Sequence, residues 1–222
     1  MIYFSKLNLI QLAVILTLAM LTLIMLITIS QYGNFQDNVG FLLYKQEYIG
    51  NNTWKVAFYI HVFSCFFCLL AGFTQFSNSL IQNNKILHKL FGRLYAYNIL
   101  LINFPVGLVL AICANGYLPS KLAFLTLDFL WFTFTLQAVV AIRNGEILKH
   151  KEYMIRSYAL TLSALSLRLW KLVFVTFTAM DNTTIYMIDA WIGFLINLLI
   201  AEIFIRRNRQ KLSFKCDIKS KK

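Results

Sequence analysis

The chain is 222 residues long, 59% apolar and 14% charged, with a formal charge of +12 from 21 Lys and Arg against 9 Asp and Glu. A soluble domain carries about 25% charge and 45–50% apolar residues, so that class is excluded, and two prolines, nine glycines and 16% aromatics exclude collagen-like and disordered chains. An integral membrane protein remains, and its positive charge, which in a soluble chain would point to nucleic acid, lies in loops and a tail between apolar runs.

A helix crosses a ~30 Å hydrocarbon core with about 20 apolar residues. Six runs of that length occur, over residues 7–30, 53–76, 90–114, 121–142, 153–178 and 184–205. Hydrocarbon offers free backbone groups no water, so each run is expected as a complete helix. The fold class is then all-α: a polytopic bundle of six transmembrane helices in a single membrane domain.

The first run follows a single Lys, Lys6, as a signal peptide would, yet it spans 24 residues and lacks an Ala-x-Ala-like cleavage site; a retained span is expected. The loop at 31–52 carries an expected short amphipathic segment around Phe41–Tyr44. On the second run His61, Cys65, Cys68, Gly72 and Gln75 recur at +4, +7, +11 and +14, a small and polar stripe on a helix otherwise made of Phe, Leu and Val. Cys65 and Cys68 spell C-x-x-C within an apolar helix, a context that fits packing rather than redox or zinc chemistry.

His88, Gly92 and Tyr95 share a face at the start of the third run, and Asn103, Pro105 and Gly107 mark an expected kink further along it. The fourth run contains Asp128. His150, Tyr153 and Arg156 lead into the fifth, whose Ser157, Thr161, Ala164 and Arg168 form a second stripe of the kind that lets membrane helices approach closely. Beyond the sixth run the tail at 206–222 is basic.

The loops orient the chain. Sixteen Lys and Arg lie at one set of ends, three at the other, and Arg168 and Lys171 lie inside the fifth run. Basic residues stay on the cytoplasmic side, so a multi-pass protein of the inner (plasma) membrane is expected, with both termini cytoplasmic. The expected partners are the lipid bilayer and, for the basic tail, anionic head groups; nucleic acid is not expected.

An ionisable side chain at mid-span costs at least ~2.5–3.5 kcal/mol and must face a partner or a wet cavity. By helix rise His61, Asp128 and Arg168 sit roughly 10–15 Å from the same outer end, which suggests a ligand-binding site of His61, Arg168, Asp128 and Gln75 built around an Arg–Asp pair. The bland alternative has Arg168 and Lys171 snorkelling to the interface. A second cluster, His88, Tyr95, His150 and Arg156, lies at the cytoplasmic ends. Its two imidazoles, His88 and His150, are candidate metal or haem b ligands, although interfacial basic and aromatic residues also serve as plain anchors.

The order H61-V-F-S-C-F-F-C-L-L-A-G-F-T-Q-F, L-H88-K-L-F-G-R-L-Y95, H150-K-E-Y-M-I-R156-S-Y-A-L-T161 and L-R168 resembles a family of predicted bacterial membrane proteins, domain of unknown function 2306. The resemblance covers residues 61–171. It implies a helical membrane fold and favours His61, His88, His150, Arg156 and Arg168; the family usually has an apolar residue where this chain has Asp128. It implies no particular chemistry.

Three functions stay open on the sequence. One is a buried polar site for a small ligand or solute; six spans are few for a secondary transporter, so this goes with a homo-oligomer. Another is an electron-transfer protein with a single b-type haem or a quinone pocket. Three histidines cannot supply two bis-His haems, and His61 would stand some 20 Å from the other pair. The third is a non-catalytic subunit or scaffold whose buried polar residues specify helix packing.

Overall fold

The computed structural model describes residues 9–75 and 83–220, and every secondary element among them is helical. Leu7 and Phe76, at the ends of two predicted spans, and Lys221 and Lys222 of the tail lie outside the described residues. The chain falls into two compact units, residues 1–55 and 56–222.

In the first unit the opening apolar run forms α1 (Leu9–Ser30), whose Thr22 and Thr28 hydroxyls bond back to the carbonyls of Leu18 and Ile24. The loop that follows is ordered around Tyr32. Its hydroxyl accepts the Phe41 N–H at 2.9 Å, at the start of a 3-10 helix over Gly40–Tyr44, so the expected short segment at Phe41–Tyr44 is present. Gly40 has φ +52°, and a Cβ there would stand 2.5 Å from the Tyr32 hydroxyl, so only glycine fits the turn. The short α2 (Gln46–Ile49) places the Tyr48 ring 4.8 Å from the buried Lys45 ammonium, a cation–π contact that offsets part of the cost of burying the charge.

α3 (Asn52–Gln75) leads into the second unit. There follow α4 (Lys85–Tyr97), a π-helical segment at Asn98–Asn103, α5 (Phe104–Ile112), α6 (Tyr117–Arg143), α7 (Ile147–Thr161), α8 (Ser163–Phe177) and α9 (Asn182–Ser220). Among the described residues four helices are long and apolar enough to cross a membrane: Asn52–Gly72, Lys85–Ile112, Tyr117–Arg143 and Asn182–Gln210. The pair α7 and α8, bent by 41° at its junction, is long and apolar enough only when its two helices are taken together, so four spans, or five with this pair, stand among the described residues where six were expected. The protein is thus a polytopic all-α bundle. The basic tail continues the last helix, and the 39 residues of α9 extend over roughly 58 Å.

Sequence and packing agree on which side faces inward. Leu101, Ile112, Phe129, Leu136, Leu172 and Leu199 are exposed, while Ala123, Ala138, Ala190, Cys68 and a set of hydroxyl and amide side chains are buried. Apolar side chains face outward because lipid accepts them, and small residues face inward because they let backbones approach. Gly72 shows how closely: a Cβ there would lie 1.8 Å from Cε2 of Tyr158, whose ring fills the space.

Two helix irregularities set the geometry of the interior. The expected break in the third run takes the form of the π segment, and the run remains one span from Lys85 to Ile112. Pro105, in the first turn of α5, has no N–H to return to the carbonyl four residues back, and the wider turn before it absorbs the mismatch. The sharper bend, between Thr161 and Ser163, has neither Gly nor Pro. Asn197 of α9 sustains it: its Nδ2 donates to the Ala159 carbonyl at 3.1 Å, and its Oδ1 accepts from Ser166 Oγ at 2.9 Å. A carbonyl released from the helical ladder inside a membrane needs such a partner.

Candidate functional site

The polar interior of the second unit divides into three groups along the bundle. The first lies at the end where α3 finishes and α4 begins. Gln75 is buried there, with its amide oriented by its neighbours: the nitrogen donates to His88 Nδ1 and to the His88 carbonyl, each at 3.3 Å, and the oxygen accepts from the Gly92 N–H at 3.2 Å. Gly92 permits the approach, since a Cβ would stand 2.8 Å from the Gln75 amide. His150 of α7 hydrogen-bonds through Nδ1 to the Ala138 carbonyl of α6 at 2.9 Å, and it lies within electrostatic reach of His88.

These partners fix the imidazole protons. A carbonyl accepts, so His150 carries a proton on Nδ1 and, as a neutral imidazole, its lone pair is at Nε2. The Gln75 nitrogen donates, so His88 accepts at Nδ1 and carries its proton on Nε2. The pair presents one donor and one acceptor. An iron held between two imidazoles needs two lone pairs, so the hydrogen-bonding of His88 does not fit haem ligation. Among the described residues there is also no group of three or more His, Cys, Asp or Glu placed to hold a metal ion.

The second group fills the middle of the bundle. Tyr95 of α4 is fully buried, and its hydroxyl meets Ser157 Oγ at 2.9 Å and Thr161 Oγ1 at 2.8 Å on α7. From α6, Trp131 Nε1 donates to Thr161 Oγ1 at 3.1 Å, and Thr135 Oγ1 meets Ser157 Oγ at 2.7 Å while donating to the Trp131 carbonyl. Every hydroxyl in this cluster has a partner, the arrangement that rigidifies a buried polar network. It ties α4, α6 and α7 together.

The third group lies in the other half. Asn98 Nδ2 donates to the Ser64 carbonyl at 2.9 Å and to Cys68 Sγ at 3.2 Å. Asn103 Nδ2 donates to Asn98 Oδ1 at 3.2 Å, and its own Oδ1 accepts from Ser64 Oγ at 3.0 Å and Cys65 Sγ at 2.9 Å. The His61 ring stands over Cys65, with both ring nitrogens 3.5 Å from Sγ. Asp128 is within electrostatic reach of Cys65. It packs on Gly107, is 7% exposed, and its Oδ2 has no hydrogen-bond partner.

Of the residues expected to form one ligand-binding site, His61 contacts Cys65 and Asp128 lies within electrostatic reach of the same thiol. Gln75 lies instead with His88. Arg168 is exposed on α8, where Nη1 donates to the Ala164 carbonyl at 2.7 Å, so the guanidinium does not share the buried pocket of Asp128. Of the second set, His88 and His150 are neighbours and Tyr95 belongs to the central network. Arg156 forms a bidentate ion pair with Glu202 of α9 and stacks on the Tyr153 ring at 5.4 Å. The neighbouring pair of Arg209 with Glu152 is also bidentate, so this side of α7 is a seam to α9.

Several residues of the interior escape a periodicity argument. Asn98 and Asn103 are five apart and fall on different sides of an α-helix; the π turn brings them onto one side. Asp189 of α9, 5% exposed with an unpartnered Oδ1 and Lys171 within electrostatic reach, is a second buried acid. A carboxylate inside an apolar run was the signal available for it.

Residues 58–205 match the model of a family described as predicted membrane protein, domain of unknown function 2306. No curated protein and no solved structure matches the chain.

Proposed function

We propose that this chain, which belongs to the domain of unknown function 2306 family of predicted membrane proteins by a match over 148 of its 222 residues, binds a small polar ligand or solute within the membrane. The site lies between α3, the π segment, α5 and α6, with His61, Ser64, Asn103 and Asp128 as its polar residues. One observation carries the reading: Asp128 is buried with Oδ2 unpartnered, whereas the central hydroxyl cluster is fully paired. A buried polar atom left open is where a ligand gains most; Ser163 Oγ and Asp189 Oδ1 are open as well, but Asp128 is the one within electrostatic reach of the Cys65 that His61 contacts.

The full-length protein in detergent tests this by thermal unfolding against inorganic cations, inorganic anions and small carboxylic acids. A solute that binds the folded state raises the midpoint with concentration. The expected result is such a rise in the wild type, absent in Asp128→Asn. If none of these solutes stabilises the wild type, the histidines and Asp128 are left a packing role, as in a scaffold.

The topology proposed with it puts both termini in the cytoplasm of a cell with the protein in its inner (plasma) membrane. Sixteen basic residues at one set of helix ends against three at the other support this. Labelling of a single cysteine placed in the 145–146 turn and, separately, at residue 116 reads the orientation directly, with only the second expected to react from outside. The bilayer is the partner the exposed apolar faces call for. Anionic lipid at the tail and self-association belong to the same proposal, to be read from binding to anionic vesicles and from the mass in detergent.

A further inference from the structure

We propose that Asp128 holds an exchangeable proton, so that the cluster of His61, Cys65 and Asp128 is a proton-binding site inside the membrane. This rests on the site reading above and gives that site a first ligand.

An ionised carboxylate in hydrocarbon needs a cation or several donors around it. Oδ2 of Asp128 has no hydrogen-bond partner, and its Oδ1 lies over Gly107. The ionisable groups around it are few. α3 brings Cys65 and His61, and the Cys65 thiol is already directed to Asn103. The π segment and α5 bring none. The stretch of α7 and α8 from Thr161 to Leu167, which begins at the hydroxyl bonded to Trp131, brings none, and Arg168 beyond it is exposed. α9 adds Asp189, a second acid, with Lys171 within electrostatic reach of it. Among the described residues no cation forms an ion pair with Asp128, Lys121 about two turns away on its own helix included, whereas a proton on the carboxyl removes the need for one.

His61 makes the proton exchangeable. It is half-buried and stands on the same helix face as Cys65, one turn nearer the start of α3. An imidazole can accept or release a proton at either ring nitrogen.

Infrared spectroscopy of the full-length protein in detergent tests the proposal. The expected spectrum at about pH 7 contains the C=O stretch of a protonated carboxyl that shifts in D2O and is lost in Asp128→Asn. Should that variant not fold, Asp189→Asn serves: a protonated-carboxyl band that survives it belongs to Asp128. A hydrophobic carbodiimide gives a second reading, because the carboxyl O–H adds across a C=N bond to an O-acylisourea that rearranges to a stable N-acylurea, a reaction the ionised form does not start. The adduct is expected on the peptide bearing Asp128 and not on exposed Glu47.

A spectrum without a protonated carboxyl assignable to Asp128 overturns the proposal. The two readings separate cleanly. A solute that stabilises the protein while Asp128 is ionised keeps the site and overturns the proton; a protonated Asp128 with no stabilising solute keeps the proton and removes the solute.

Discussion

Gly107 and Asp128 meet so closely that a methyl group on the glycine would lie 2.7 Å from the carboxylate Oδ1. The contact joins α5 to α6. Gly107→Ala therefore forces Asp128 or the helices apart, and overpacking of this kind typically costs about 1–3 kcal/mol, against at most ~1 kcal/mol gained in helix propensity. The expected outcome is a lower unfolding midpoint in detergent. Combined with Asp128→Ala, which removes the clash, the loss is expected to shrink, and a double-mutant cycle measures the coupling. Additive losses would show that the two residues do not feel each other.

The hydroxyl of Tyr95 is the junction between α4 and α7. Tyr95→Phe keeps the ring and removes bonds to both Ser157 and Thr161. Each hydrogen bond contributes about 0.5–1.5 kcal/mol and an orphaned partner adds to the loss, so destabilisation of about 1–3 kcal/mol is expected. Thr135→Val, at the edge of the same cluster, is expected to cost less than Tyr95→Phe, because it leaves Tyr95, Thr161 and Trp131 bonded to one another.

The bend between α7 and α8 depends on one amide. Asn197→Leu withdraws the donor from the Ala159 carbonyl and the acceptor from Ser166. Faster amide exchange is expected across residues 159–166, with little change in the α6–α7 hydroxyl cluster. Unchanged exchange at the bend would mean that packing alone holds it.

Asp181 precedes α9 and accepts from the Thr184 hydroxyl at 2.7 Å and from the Thr184 N–H at 2.9 Å. The Thr184 hydroxyl first, and then its backbone N–H, hold the carboxyl below its ordinary value. A group whose folded pKa is depressed stabilises the fold above its unfolded pKa, about 3.9 for Asp, and that contribution is lost as pH falls through the lower folded value. The first turn of α9 is expected to fray in acid, read by exchange at residues 183–185. Asp181→Ala should fray it at neutral pH and abolish the acid dependence.

Membership of the helical membrane class, the apolar runs and the polar stripes were legible because they are local. Hydropathy is a property of a window of residues, and a stripe follows from the fixed rotation per residue of a helix. The third-run irregularity was legible too, since Pro105 marks where an α-helical ladder lacks a donor. His61 and Cys65, one turn apart on one helix, could be paired by counting alone.

What faces what was decided by the tertiary structure. Helix rise gave His61, Asp128 and Arg168 similar depths, but depth leaves rotation about each helix axis undetermined, and rotation carries Arg168 to an exposed face while Asp128 turns onto Gly107. Gln75 is four turns from His61 on the same stripe, and only the return of α4 against the end of α3 joins it to His88. The π turn that puts Asn98 beside Asn103, the Asn197 clamp on a bend without Gly or Pro, and the pairing of Arg156 with Glu202 each need two distant segments in register. Sequence determined the helices and their polar inventory, because rise and rotation per residue are intrinsic to the backbone. The site belongs to the fold, because axial offset and rotation between helices are set by how their surfaces pack.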